Sequence, residues 1–204
     1  MKANNSSFEA IPVAALSELT SGSALAVIIN TTGESNIFKA LSQLYCHSSY
    51  KVYYLEPGVS QLRKTLEFCE ELKIRSVVLC GEELPATNTF IPDRNYSATL
   101  VSAGSEFNTT DILTHIISDK NAHSFSHVGY QLYRYNPFKL SEIRGRFFEE
   151  MRLGSLRGAV NNAEPLMRNS THFFVDMRSI RQADFPDNSN QLPNGLYGEE
   201  MCQL

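Results

Sequence analysis

The arrangement of short apolar runs along the chain is the feature that most limits its fold. Six such runs are separated by segments in which apolar residues recur at helical spacing. The run at 24–29 contains no polar residue, which is typical of a strand buried on both faces. The predicted strands are 24–29, 52–55, 76–80, 99–101, 124–129 and 172–176, and the predicted helices are 37–45, 59–72, 112–117 and 140–153.

This alternation predicts an α/β protein with a mainly parallel sheet. Strands joined by helices form βα units, and right-handed crossovers place the helices on both faces of the sheet. We expect residues 1–20 to form a polar lead-in and residues 21–204 to form a single domain. Ligands bind at the carboxyl ends of the strands in such sheets. The long loops at 81–95 and 181–194 follow predicted strands, so a functional site is expected there.

Composition excludes several classes of protein. Lys and Arg number 18 against 22 Asp and Glu, a net charge of −4, so no basic surface suits nucleic acid or an anionic membrane. No apolar run approaches the ~20 residues that span a bilayer. The 4 cysteines show no CxxC spacing, which favours a reduced, cytoplasmic protein. The phosphate-loop, dinucleotide and nucleophile-elbow motifs are absent from the sequence.

The last third of the chain carries three distinctive segments. They are EPLMR at 164–168, HFFVDMRSIRQADFP at 172–186 and PNGLYGEE at 193–200. Together with FSHVGYQ at 125–131 and RLGSLR at 152–157, they resemble the ureohydrolase family of arginase, agmatinase and formimidoylglutamase. The resemblance is strongest to a divergent bacterial arginase-like branch. It implies an arginase-like three-layer α/β sandwich, which agrees with the parallel sheet predicted above.

The resemblance also implies a metal centre. Enzymes of this family hold two Mn²⁺ ions between strand ends, where a bridging hydroxide attacks a guanidino or formimino carbon. Compared residue by residue, the family pattern keeps one ligand here, Asp176. In the same Asp-x-Asp segment, Arg178 replaces the second aspartate. The other substituted ligand positions are Glu83, Gly104, Glu106 and Asn108.

These substitutions disfavour bound metal. A guanidinium about 4 Å from a divalent ion is repelled by roughly 8 kcal/mol at an effective dielectric of about 20, and it cannot lose its proton. We therefore expect no cofactor, and Mn²⁺ only if a rebuilt site is active. One hypothesis is that Arg178 replaces the metals by pairing with the nearby carboxylates of Glu83, Glu106 and Asp176. The alternative is that these side chains point to solvent.

Three functions stay open from the sequence, and whether the protein is an enzyme is undecided. A ureohydrolase-like protein with a degenerate dinuclear site would be catalytically impaired and act by binding or assembly. An active metal-dependent hydrolase would cleave a guanidino or formimino C–N bond. A binding module would hold a small cationic ligand. No catalytic residue is assigned.

The substrate-binding candidates lie in the PNGLYGEE segment and are Asn194, Gly195 and Glu200. Each has a structural alternative. Glu200 suits the first turn of a helix, where a carboxylate favours the dipole, and Asn194 with Gly195 suits a tight turn.

The resemblance bears on chain length as well. The family continues with further strand and helix units after PNGLYGEE, whereas this sequence ends 4 residues later. We expect a C-terminally shortened fold with an exposed sheet edge. A second copy of the chain or a partner subunit would cover that edge.

Overall fold

The computed structural model describes residues 8–18, 26–34, 36–44, 52–81, 85–91, 93–105, 112–186 and 192–204. They belong to two compact units, Met1–Phe90 and Ile91–Leu204. The predicted α/β class with parallel strands is confirmed. The described strands form two four-stranded sheets, one in each unit, where the sequence predicted one sheet. The lead-in over 1–20 and the single domain over 21–204 stay predictions.

The first unit is a parallel sheet in the order β1-β3-β2-β4. The three-residue β1 was not predicted, because it has no apolar run and forms by pairing in register with β3. The helical stripe of α2 packs Leu62 and Cys69 into the core. Burial raises the pKa of the Cys69 thiol to about 11, so this thiol stays protonated. The elements are β1 (Phe8–Ala10), β2 (Ala26–Asn30), α1 (Asn36–Leu41), β3 (Val52–Leu55), α2 (Val59–Glu71) and β4 (Arg75–Leu79), with 3₁₀ turns at Val13–Glu18 and Thr87–Thr89.

The second unit is a parallel sheet in the order β7-β6-β5-β8. Every residue of β5 is buried, since this strand lies between β6 and β8. The elements are β5 (Tyr96–Val101), α3 (Ile112–Ser118), β6 (Ala122–Tyr130), α4 (Pro137–Gly145), β7 (Glu149–Arg152), α5 (Leu153–Gly158), α6 (Glu164–Met167), β8 (His172–Val175) and α7 (Gly198–Gln203), with 3₁₀ turns at Leu132–Arg134, Val160–Ala163 and Met177–Ser179.

The predicted helix over 140–153 is wrong in its second half. Helix α4 ends at Gly145, and the chain reverses through Phe147 in the left-handed region, with φ 57°. The Phe148 N–H then donates to the Ile143 carbonyl at 3.1 Å, which closes the helix end in a Schellman motif. The following residues pair with β6 as β7, and this pairing between distant segments overrides the local helical spacing.

Strand β8 is an edge of the second sheet. Apolar side chains alternate along it and beyond its end, and three of them are exposed: Phe173 by 46%, Val175 by 39% and Met177 by 46%. The opposite end of the sheet is the short β7. Among the described residues, no helix has the length and apolarity that crossing a membrane requires.

Candidate functional site

Asp176 lies at the carboxyl edge of the second sheet, directly after β8. Its backbone N–H donates to the Val101 carbonyl of β5 at 2.9 Å, which extends the β5–β8 ladder one residue beyond Val175. Its side chain caps the following 3₁₀ turn by accepting the Arg178 backbone N–H at 3.0 Å. The structure therefore places Asp176 at the end of a strand, where the sequence predicted it.

Arg178 returns to bind the carboxylate of Asp176. Its Nε donates to Oδ1 at 2.9 Å and its Nη2 donates to Oδ2 at 3.0 Å. This two-bond fork is the strongest arrangement that a guanidinium and a carboxylate form. The side chains are 14% exposed for Asp176 and 32% exposed for Arg178, so water competes weakly with the pair. Both carboxylate oxygens of Asp176 are thus held by a cation.

Gly104 is tightly packed against the backbone of Arg134. A Cβ built at Gly104 would lie 2.7 Å from the Arg134 carbonyl oxygen, so a larger residue requires the backbone to move. The pairing of Val101 with Val175 makes Ser102, rather than Gly104, the residue that enters the loop beside Asp176. The assignment of Gly104 to a ligand position stays a prediction, and Ser102 is the residue that sequence reasoning missed.

A buried chain of hydrogen bonds fixes the loop after β5. The Ser102 hydroxyl donates to the Gly104 carbonyl at 2.8 Å, so its oxygen accepts from His127 Nε2 at 2.8 Å. Tyr135 Oη then donates to His127 Nδ1 at 2.6 Å. Burial lowers the pKa of His127 to about 3, which keeps the imidazole neutral. The sequence signal for this network was the histidine in FSHVGYQ, to which the sequence analysis assigned no role.

The PNGLYGEE segment is held by Arg157 of α5. Its guanidinium donates to Asn194 Oδ1 at 3.2 Å, to the Gly195 carbonyl at 2.5 Å and to Glu200 Oε1 at 3.3 Å. Gln131, which follows β6, donates from Nε2 to the Asn194 carbonyl at 2.6 Å. The structure therefore gathers the three substrate-binding candidates around one arginine that the sequence analysis did not single out.

Backbone packing explains the glycine in this segment. A Cβ at Gly195 would collide with the Ser179 carbonyl oxygen, so the two backbone segments approach as closely as only glycine allows. Leu196 pairs there with Ile180 in a parallel bridge. This pairing joins the segment to the turn that begins at Asp176.

Glu200 is engaged in local structure as well. Its Oε2 accepts the Tyr197 backbone N–H at 2.8 Å, which satisfies one free donor at the start of α7. The Tyr197 ring receives the guanidinium carbons of Arg157 at 4.4 Å and Arg181 at 4.3 Å from its centroid. These contacts favour the structural alternative for Glu200, and its substrate role stays a prediction.

The predicted metal ligands lie partly outside the described residues. Glu83, Glu106 and Asn108 lie outside the described residues. Within the described part of the chain, no three residues of the types His, Cys, Asp and Glu are grouped to hold a metal ion. Asp176 is the one predicted metal ligand among the described residues, and Arg178 binds both oxygens of its carboxylate. The described residues therefore do not by themselves fit a manganese ion.

Comparison with solved structures identifies the fold. No family model and no curated protein matches the chain. Crystal structures of formiminoglutamase from Trypanosoma cruzi do match, one with Mn²⁺ at TM-score 0.71 and 14% identity over 90% of this chain and 80% of that chain. An oxidised form at pH 4.6 matches at TM-score 0.71 and 15% identity, over 92% and 81%. The chain has the arginase-like fold.

A second protein with the arginase-like fold supports the same conclusion. The arginase-like protein of T. brucei, in an oxidised form, matches at TM-score 0.65 and 9% identity over 89% of this chain and 73% of that chain. Identities this low show the fold and leave the chemistry open. The resemblance to ureohydrolases that the last third of the sequence indicated is confirmed at the level of fold.

The comparison corrects one expectation. We expected no cofactor, because five of the six ligand positions are substituted. That expectation is wrong, because a T. cruzi formiminoglutamase structure with this fold was determined with Mn²⁺. Manganese is the ion in that structure, whereas the described residues of this chain include no ligand set for it.

Proposed function

We propose that this protein is a ureohydrolase-fold protein with a degenerate strand-end site, catalytically impaired, which acts by binding or assembly. The observation that carries the proposal is the two-bond pair between Asp176 and Arg178. A Mn²⁺ ion at Asp176 would have to displace the guanidinium or bear its repulsion, which is roughly 8 kcal/mol for a charge about 4 Å away at an effective dielectric of about 20. The reduced cysteines favour the cytoplasm as its location.

An arginine at this place also suggests what the site could bind. With Asp176 as its partner, Arg178 is fixed at the carboxyl edge of the sheet, where ligands of α/β proteins bind. At that edge, the pair offers a ligand both hydrogen-bond donors and hydrogen-bond acceptors. This differs from two metal ions, whose role is to ionise a bound water.

A second function has support from the comparisons. An active manganese-dependent hydrolase of a guanidino or formimino C–N bond would agree with the formiminoglutamase structure containing Mn²⁺. It would also agree with Asp176 at a strand end. This function requires Arg178 to leave the carboxylate when the metal binds.

Two measurements on the purified chain separate these functions. Manganese content is determined by mass spectrometry after incubation with Mn²⁺ and desalting. Release of formamide from formiminoglutamate and of urea from arginine is then measured, with the T. cruzi formiminoglutamase as a positive control. Impairment predicts no turnover above the protein-free rate. Turnover that rises in proportion to bound manganese would establish the hydrolase and refute the proposal.

The exposed edge of the second sheet supports assembly. Phe173, Val175 and Met177 expose apolar surface along β8, and such edges are usually covered. We propose a homo-oligomer or a partner subunit at this edge. Light scattering after size exclusion should give a mass above that of the monomer, and Phe173→Glu should return it to the monomer mass. A monomer at all concentrations would contradict self-association.

A further inference from the structure

The first sheet contains a point at which neighbouring strands are connected in opposite directions. β2 is followed by β3 on one side of it, whereas β3 is followed by β4 on the other side of β2. Right-handed crossovers that run in opposite directions put their helices on opposite faces of the sheet. The loops that leave β2 and β3 therefore separate at the carboxyl ends of two adjacent strands. Ligands of open α/β sheets bind in the crevice that forms at such a point.

The side chain of Asn30, the last residue of β2, lies between these two loops and is 3% exposed. Its Nδ2 lies 3.1 Å from the Glu34 carbonyl oxygen in the first loop and 2.9 Å from Glu56 Oε1 in the second. Its Oδ1 accepts from the Thr32 backbone N–H at 3.0 Å. A buried amide thus forms the floor of the crevice and is bonded to both of its walls.

Glu56 is the charged group at the mouth of the crevice. Its side chain is exposed, yet its Oε1 accepts from two buried side chains, Tyr54 Oη at 2.7 Å and Asn30 Nδ2 at 2.9 Å. The hydrogen bond from Tyr54, with that from Asn30, lowers the pKa of Glu56, so its carboxylate is ionised at neutral pH. The Tyr54 ring in turn packs against Phe38 of α1, with 5.1 Å between ring centroids. The carboxylate is therefore held in place from beneath.

The second oxygen of Glu56 gives the crevice its preference for a ligand. Oε1 already accepts two hydrogen bonds, and no described residue bonds to Oε2, which can accept two more. Two neighbouring hydroxyl groups match this oxygen, and a carboxylate in the second half of a βαβ unit binds ribose in dinucleotide-binding sheets. The loop after β2 has one glycine, Gly33, so it lacks the glycine-rich pattern that cradles phosphate. These observations favour a sugar rather than a phosphate as the bound group.

We propose that the crevice between the carboxyl ends of β2 and β3 binds the ribose of a nucleoside, whose 2′- and 3′-hydroxyls donate to Glu56 Oε2. Asn30 and Tyr54 act as positioning residues, because they hold the carboxylate through its other oxygen. This site belongs to the first unit. It is separate from the strand-end site at Asp176 and does not depend on whether that site is catalytic.

Adenosine is a suitable probe, because 2′-deoxyadenosine differs from it by one hydroxyl. Affinities are measured by titration of amide NMR shifts for the full chain. We expect adenosine to bind roughly 10-fold more tightly than 2′-deoxyadenosine, because the deoxy analogue loses a hydrogen bond to a charged group. The amide shifts that move should be those of the loops after β2 and β3.

Glu56→Gln tests the carboxylate itself. An amide has one oxygen, which the donors of Tyr54 and Asn30 require, so its NH₂ group faces the ligand and cannot accept from a hydroxyl. This variant should bind the two nucleosides equally, and adenosine roughly 10-fold more weakly than the wild type does. Glu67→Gln, at an exposed position of α2, is the control and should bind as the wild type.

The comparison of the two nucleosides uses the wild-type chain, so it tests the inference even if Glu56→Gln fails to fold. The inference is overturned if adenosine does not saturate the protein, if 2′-deoxyadenosine binds the wild type equally well, or if a folded Glu56→Gln variant keeps the wild-type affinity for adenosine.

Discussion

The buried His127 makes the stability of the second unit depend on pH in a defined direction. Its imidazole accepts from Tyr135 Oη at 2.6 Å and donates to Ser102 Oγ at 2.8 Å, so the neutral form satisfies both nitrogens. Protonation would place an uncompensated charge inside the unit. We predict that His127→Gln, which keeps a donor and an acceptor, removes most of this pH dependence.

The magnitude follows from the two pKa values. Burial lowers the pKa of His127 from 6.5 to about 3 in the folded chain. As the pH falls below 6.5, the unfolded chain therefore binds a proton at His127 before the folded chain does. The free energy of unfolding is highest above pH 6.5 and decreases progressively as the pH falls towards 3. Between pH 7 and pH 5, the loss from this residue is about 2 kcal/mol.

Urea unfolding at pH 7.0 and pH 5.0 measures this loss. The wild-type chain should lose about 2 kcal/mol more between the two pH values than the His127→Gln variant does. His123→Gln, at an exposed position of the same strand, is the control and should behave as the wild type. If His127→Gln loses as much stability as the wild type, the imidazole does not titrate as a buried neutral group.

Three further substitutions test the packing of the second unit by urea unfolding. Gly104→Ala should destabilise by about 1–3 kcal/mol, because its Cβ meets the Arg134 carbonyl; unchanged stability would show that the loop yields freely. Arg157→Ala should lower the free energy of unfolding by about 1.5–3 kcal/mol and fray α7, because Glu200 and the Gly195 carbonyl lose their hydrogen-bond donor. An intact α7 by NMR would contradict this. Arg146→Lys should cost about 1–3 kcal/mol, because one ammonium cannot reach the four carbonyls between Ile116 and Ala122 that the guanidinium binds; an equally stable variant would refute that account.

Much of the fold could be predicted from local patterns. A continuous apolar run marked β2, and the helical stripe marked α2. β1 and β7 were missed, because neither Phe8–Ala10 nor Glu149–Arg152 carries an apolar run, and both form by pairing with a distant strand. The division into two sheets also depends on strand order, which local spacing does not encode.

The site was predicted less completely than the fold. A turn after an apolar run was enough to place Asp176 at a strand end. The hydrogen-bond partners of the site residues could not be predicted from the sequence, because Arg157 lies 37 positions from Asn194 and 43 from Glu200. The pairing of His127 with Ser102 likewise joins residues 25 apart. Such contacts follow from the strand register rather than from motif spacing.

The state of the Asp176 carboxylate is the central claim of this account. Calorimetric titration with Mn²⁺ of the wild-type chain and of Arg178→Asp, which restores an Asp-x-Asp segment, tests it most directly. Arg168→Asp makes the same change of charge at an exposed position directly after α6 and serves as the control. We predict that Arg178→Asp binds Mn²⁺ at least 10-fold more tightly than the wild type and the control. Tight stoichiometric binding by the wild type, with no gain in Arg178→Asp, would contradict the account.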